Sequence, residues 1–166
     1  MAYFTKQEAR NYARRSVMAS FESYSSKLES IVESQNYQQR FDVFLSHSIK
    51  DEELVLGVIA FLEQMGKRVY VDWIVDRQLS RNFVTPETAE ALRKRMNQSS
   101  HLIYLATDNS SSSKWMPWEL GYFDGLKSEK VAIFPLLDSP YSSFKGQEYL
   151  GLYPALDKDE LRRFLG

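Results

Sequence analysis

The sequence predicts an α/β domain built on a doubly wound parallel sheet of about five strands, with an N-terminal helical extension over residues 1–39. Two patterns carry that reading. From residue 40 onward the short apolar runs FDVFL, RVYV, LIYLA and VAIFPLL alternate with segments of helical length at 51–65, 85–97 and 115–127. Runs so short and so continuously apolar suit strands covered on both faces, and each intervening segment is long enough for the crossover helix that parallel strands require. Before residue 40 the pattern differs. Tyr12, Val17, Phe21, Tyr24, Leu28 and Ile31 recur at mostly helical spacing, which makes residues 5 to about 34 helical and amphipathic.

Taken in chain order, Thr5 and Glu8 have the spacing of a capping box and start the first helical segment. The extension is either a helix or helical pair packed on the domain, or a contact for self-association or a partner. The stretch SQNYQQ ends it, and residues 40–166 form the main domain. Beyond Asp138 the pattern predicts YLGLY as a fifth, edge-like strand before Pro154, then a short helix from Asp157 to near Leu165. The serines at 110–113 read as a loop leading into the next helix.

Composition narrows the function. With 166 residues the chain fits one domain, or one domain plus an appendage. Twenty-one Lys and Arg stand against 22 Asp and Glu, with no basic concentration, so a nucleic-acid partner is not expected. The absence of cysteine excludes a disulfide framework, a thiolate nucleophile and a Cys-based zinc site, and two histidines, His47 and His101, leave little for any metal. The charged N-terminus MAYFTKQEAR lacks the apolar stretch of a signal peptide, and no membrane span is present. A soluble, cytoplasmic protein without a membrane partner is the expectation.

In an open parallel sheet, ligands bind beyond the carboxyl ends of the strands, where strand order reverses. That directs attention to 46–51, 72–86, 107–119 and the chain from 138 onward. Three motifs in these regions resemble the Toll/interleukin-1 receptor (TIR) family: FDVFLSHSIKDE at 41–52, VYVDW at 69–73 and SKWMPWELGYF at 113–123. The first is similar to that family's opening strand and loop, the second to its second strand and the start of its BB loop, the third to the helix carrying W-x-x-x-E. The resemblance spans about 100 of 166 residues and omits the N-terminal extension. It implies a flavodoxin-like TIR fold. It also leaves two functions open, since some members are scaffolds acting through TIR–TIR contacts and others cleave NAD+ with a glutamate in this helix.

Trp115 and Glu119 fit the cleaving pattern. Spacing of i and i+4 puts indole and carboxylate on one helix face, and Pro117 belongs in the first turn, so Glu119 falls near the helix N-terminus, where the dipole favours an anion. Loss of nicotinamide leaves oxocarbenium charge on ribose, which a fixed carboxylate stabilises or captures. Nicotinamide departs neutral from a pyridinium, so one glutamate suffices without a general acid. The competing reading is a solvated glutamate at a helix start. By the resemblance Glu119 is catalytic, and Ser46, His47, Asp72 and Trp115 are candidate substrate-binding residues. Ser46 and His47 could meet the pyrophosphate or ribose, though His47 could instead satisfy a loop carbonyl. Asp72 could hold ribose hydroxyls or cap a loop. Trp115 could stack on adenine or line the nicotinamide pocket, while Trp118, on another face, packs.

The loop WIVDRQLSRNFVT mixes apolar and charged residues, and by resemblance Arg77 and Phe83 lie on an assembly loop that docks on a neighbouring TIR domain; folding onto its own domain is the alternative. No Gly-rich phosphate loop is present, so NAD+ would be substrate, with no cofactor and no metal. A short TIR protein of this kind resembles bacterial anti-phage TIR proteins, especially the Thoeris type, which make an ADP-ribose-derived signal for a separate effector. A nucleoside deoxyribosyltransferase, also a glutamate enzyme on a related sheet, is disfavoured by LSHSIKDE.

Overall fold

The computed structural model describes residues 2–72 and 85–166. Among the described residues, strands β1 (Phe4–Thr5), β2 (Phe41–Ser46), β3 (Val69–Tyr70), β4 (Ser99–Ala106) and β5 (Val131–Leu137) form one sheet in the order β1-β5-β4-β2-β3. Every pairing is parallel. The α-helices among the described residues are α1 (Lys6–Ser20), α2 (Tyr24–Gln35), α3 (Glu52–Gln64), α4 (Pro86–Asn97), α5 (Trp115–Lys127) and α6 (Lys158–Leu165).

Both sheet faces are covered, as the continuous apolar runs require. Along β4, Leu102, Tyr104 and Ala106 point into one core with α4 and α5, while Ile103 and Leu105 point into the other with α1, α2, α3 and α6. That period-2 alternation makes the fold doubly wound. After β2 the chain crosses to α3 on one face, and after β4 to α5 on the opposite face. The order therefore reverses between β2 and β4, and an open parallel sheet binds ligands in the crevice beyond the strand ends at such a point, here beyond Ser46 and Ala106.

The predicted fifth strand is corrected. YLGLY forms a 3-10 turn over Glu148–Leu152, and the edge strand is Phe4–Thr5 from the N-terminal extension, paired as Phe4↔Leu136 and Thr5↔Leu137. Further back on the same edge, Ile133 N donates to Pro154 O at 2.8 Å and Leu156 N to Ile133 O at 2.9 Å, a single bridge lying beyond the expected run. Burial decides between the two segments. Phe4 is buried, its ring stacked 4.7 Å from Phe61 and 5.4 Å from Phe134, and covering such a ring contributes roughly 1.5–3 kcal/mol. The 3-10 turn instead buries Leu150 on the other face.

The predicted capping box is present at Thr5 with Glu8, and the structure adds a second at Asp157 with Glu160, where the short C-terminal helix was expected to start. The extension is two helices, broken where Phe21 takes the left-handed conformation (φ 55°) and Ser23 caps α2. Helix α1 crosses α3 closely, since a Cβ at Gly57 would lie 1.9 Å from the Ala9 carbonyl oxygen, and Ala9 and Ala13 are fully buried there. Gln35 ends α2 against β3. Its amide accepts from Val71 N at 2.8 Å and donates to Val71 O at 3.0 Å, supplying the partner that an edge strand lacks.

Candidate active site

At the order reversal, the last residue of β2 meets the second turn of α5. The Ser46 hydroxyl donates to Glu119 Oε1 at 2.7 Å, with Ser46 1% and Glu119 0% exposed. This replaces the picture of a solvated helix-start glutamate. Glu119 is the fifth residue of α5, past the first-turn amides whose field falls off within that turn, and the Ser46 hydroxyl is a donor in contact with it. A carboxylate taken out of water without hydrogen bonds is costly. The strand end supplies one.

Behind the pair, Tyr104 faces Ser46 across the β2–β4 ladder, fully buried on the α5 side of the sheet. Burial pushes its phenol well above the ordinary value, helped by the adjacent Tyr149 hydroxyl and the negative charge of Glu119. Tyr104 is therefore a neutral phenol at any physiological pH. Tyr149, from the 3-10 turn, donates onward to Gln147 Oε1 at 2.7 Å. The sequence reading missed this layer, although the alternation in LIYLA places Tyr104 on the α5 face.

Loops from the two strands are tied together above the crevice. The Asp51 carboxylate, 4% exposed, accepts from Asn109 Nδ2 at 2.7 Å and from the Thr107 hydroxyl. Asp51 precedes α3 without capping it, because its oxygens are engaged across the crevice. Ser110 Oγ accepts from Thr107 N at 2.7 Å and donates to Leu105 O at 3.0 Å, folding the serine run back on β4. Helix α5 then starts with Ser113 Oγ accepting from Met116 N at 3.2 Å and Pro117 in its first turn, as expected.

The other candidates divide. His47 is fully covered, its Nδ1 3.1 Å from the Leu45 carbonyl oxygen, the local role that competed with substrate contact. Because a carbonyl only accepts, that contact puts the ring proton on Nδ1. Asp72 is buried just beyond β3. Trp115 shares the inner face of α5 with Glu119 but is itself core, 3% exposed and edge-on to Trp118 at 5.3 Å. Trp118 is half-buried at the α4–α5 seam, stacked 5.8 Å from Tyr122 with the Arg93 guanidinium 5.5 Å from its ring. Arg77 and Phe83 lie outside the described residues. Among the described residues no cluster of three or more His, Cys, Asp or Glu could hold a metal ion, and no helix is long and apolar enough to cross a membrane.

A family profile described as TIR domain matches residues 43–165. This chain belongs to the TIR domain family. The chain is 46% identical over 164 residues to "Probable 3' cyclic ADP-D-ribose synthase ThsB'" of Bacillus cereus (strain MSX-D12), covering 95% of this chain and 84% of that protein. It is also 37% identical over 94 residues to "Putative cyclic ADP-D-ribose synthase TIR2" of Cytobacillus dafuensis, covering 55% of this chain and 25% of that one. Among solved structures it is similar to the TIR domain of the Toll-related receptor TRR-2 of Hydra magnipapillata, with 21% identity and a TM-score of 0.49 over 73% of this chain and 86% of that chain.

Proposed function

We propose that this TIR domain cleaves the nicotinamide–ribose bond of NAD+ and releases nicotinamide and a cyclic ADP-ribose. The observation that carries the reading is the 2.7 Å hydrogen bond from Ser46 to a fully covered Glu119 at the strand-order reversal. A scaffold has no use for an acid there, because burying a carboxylate costs stability and a hydrophobic residue would pack as well. The names of the two curated relatives point to the same chemistry.

In this mechanism the electron pair of the ribose C1′–N bond leaves with nicotinamide, which departs neutral, and positive charge develops on the ribose. Glu119, held by Ser46, stabilises that charge. A hydroxyl of the same ADP-ribosyl group then attacks C1′ and gives its proton to Glu119, which passes it to water. Attack by water in its place gives linear ADP-ribose. Ser46 orients Glu119, His47 holds the chain after β2 through the Leu45 carbonyl, Asp72 shapes the approach of the ribose, and Trp115 backs Glu119 from within the core. NAD+ is consumed as substrate, without a resident cofactor, in the cytoplasm where it is abundant. Self-association through the loop bearing Arg77 and Phe83, and a separate effector that receives the product, complete the proposal as a signalling enzyme of anti-phage defence. An activity that rises linearly with protein concentration would remove the self-association part.

The test is incubation of the purified chain with NAD+, with nicotinamide and both ADP-ribose forms resolved by chromatography. Glu119→Gln keeps the shape and removes the charge, and is expected to lower turnover on the order of 10²–10³-fold while the fold is retained. Equal turnover by wild type and Glu119→Gln would refute the assignment.

A further inference from the structure

The N-terminal extension reaches the carboxyl edge of the sheet, the edge that holds the crevice. Strand β1 pairs with the last two residues of β5, so Lys6, the first residue of α1, emerges level with the loops that leave β4 and β5. Its ammonium lies 2.5 Å from Asp108 Oδ2 and 3.1 Å from Asp138 Oδ1, and its side chain is only 13% exposed. Asp108 stands between Thr107 and Asn109, the two residues that Asp51 holds from the other side. Three consecutive residues are thus pinned from two directions, and the loop they begin runs into α5 and Glu119.

From this arrangement we infer that Lys6 is a positioning residue for the active site, fixing the 107–114 loop so that α5 presents Glu119 to Ser46. The inference rests on the NAD+ chemistry proposed above. Lys6 touches no reacting atom and acts through Asp108. Its start point is anchored, because Phe4 stacks on Phe61 and Phe134 and α1 lies close against α3 at Ala9 and Gly57. The two carboxylates raise the pKa of the ammonium, Asp108 most, so the charge persists across the working range. Isolated surface ion pairs contribute little to stability, whereas a covered cation shared by two loops fixes geometry. Small misplacements of a catalytic group cost large factors in rate.

The experiment compares Lys6→Met, which keeps the aliphatic stem, with Lys6→Arg and with Lys158→Met. The last breaks the ion pair of Lys158 with Glu8, also on α1. Two readouts are taken, steady-state NAD+ kinetics and amide hydrogen exchange of residues 107–114. Lys6→Met is expected to lower kcat about tenfold with little change in KM and to speed exchange in that loop. Lys6→Arg restores both, and Lys158→Met changes neither. If Lys6→Met fails to fold, Asp108→Asn, at a side chain 84% exposed, carries the test with the same expectation. Unchanged exchange in the loop overturns the inference, and so does faster exchange with kcat intact. Were the wild-type chain to release no nicotinamide, the NAD+ reading would fail, while exchange would still decide whether Lys6 fixes the loop.

Discussion

Replacing Ser46 with Ala removes one hydroxyl from a site where the partner has no solvent to turn to. Glu119 is 0% exposed and Ser46 1%, and with Glu119 ionised, the state the proposed mechanism uses, their 2.7 Å contact is a charge-assisted hydrogen bond. Bonds of that kind are worth about 1.5–3 kcal/mol, and each 1.4 kcal/mol is a factor of ten. If the whole of it is expressed in the transition state, Ser46→Ala slows NAD+ cleavage roughly 10–150-fold. The measurement is kcat/KM for nicotinamide release in wild type, Ser46→Ala, Glu119→Gln and the double variant, with thermal unfolding of each. A serine that acts through the carboxylate gives a strongly non-additive cycle, in which Ser46→Ala costs almost nothing once Glu119 is glutamine. Equal losses in both backgrounds would refute this reasoning and make Ser46 an independent substrate contact.

Three further outcomes follow from the packing. Trp115→Ala, at a ring 3% exposed, is expected to cost about 3–5 kcal/mol in chemical denaturation, while Trp118→Ala, at the α4–α5 seam, costs about 1 kcal/mol; the reverse order would show that the two indoles are misassigned. Gly57→Ala drives a Cβ into the Ala9 carbonyl, so a loss of about 1–3 kcal/mol and faster proteolysis within α1 are expected, and a wild-type melting curve would contradict the close crossing. His101 has its pKa lowered from 6.5, by burial first and then by Lys130 and Lys67 against the opposing effect of Asp42. The unfolded chain therefore binds the proton more readily, and stability declines as pH falls through 6.5 towards the folded value. His101→Gln should flatten that part of the Tm-versus-pH curve, and an unchanged slope would remove His101 as its source.

The elements easiest to read from sequence were those specified by local pattern. The runs giving β2, β4 and β5, the segments giving α3, α4 and α5, the capping box at Thr5 and the helix start at Asp157 all fall where periodicity and hydrogen-bond chemistry put them. The fifth strand was not legible because two residues carry no period. Phe4–Thr5 becomes a strand only through stacking on Phe61 and Phe134, contacts remote in sequence. YLGLY has strand-like composition, yet burying Leu150 on the α5 face favoured a 3-10 turn. The same limit holds at the site. Helical spacing puts Trp115 and Glu119 on one face but does not say which way that face points, and it points inward.

That inward orientation changes what holds the acid. A glutamate at an exposed helix start would draw its charge preference from first-turn amides, whereas Glu119 sits deeper, against the end of a strand from the other half of the reversal. Its environment is set by register. Ser46 lies opposite Tyr104, both project towards α5, and a shift of one residue in either strand would turn the hydroxyl to the opposite face of the sheet. Register in turn depends on both faces being apolar and closely covered, which includes α1 against α3 and Phe4 against β5. Lys6 and Asp51 then grip the three residues that lead from β4 towards α5. The extension that matches none of the family's motifs is thus joined to the acid through the sheet edge and through one loop, which is why its contacts belong to the chemistry as much as to the fold.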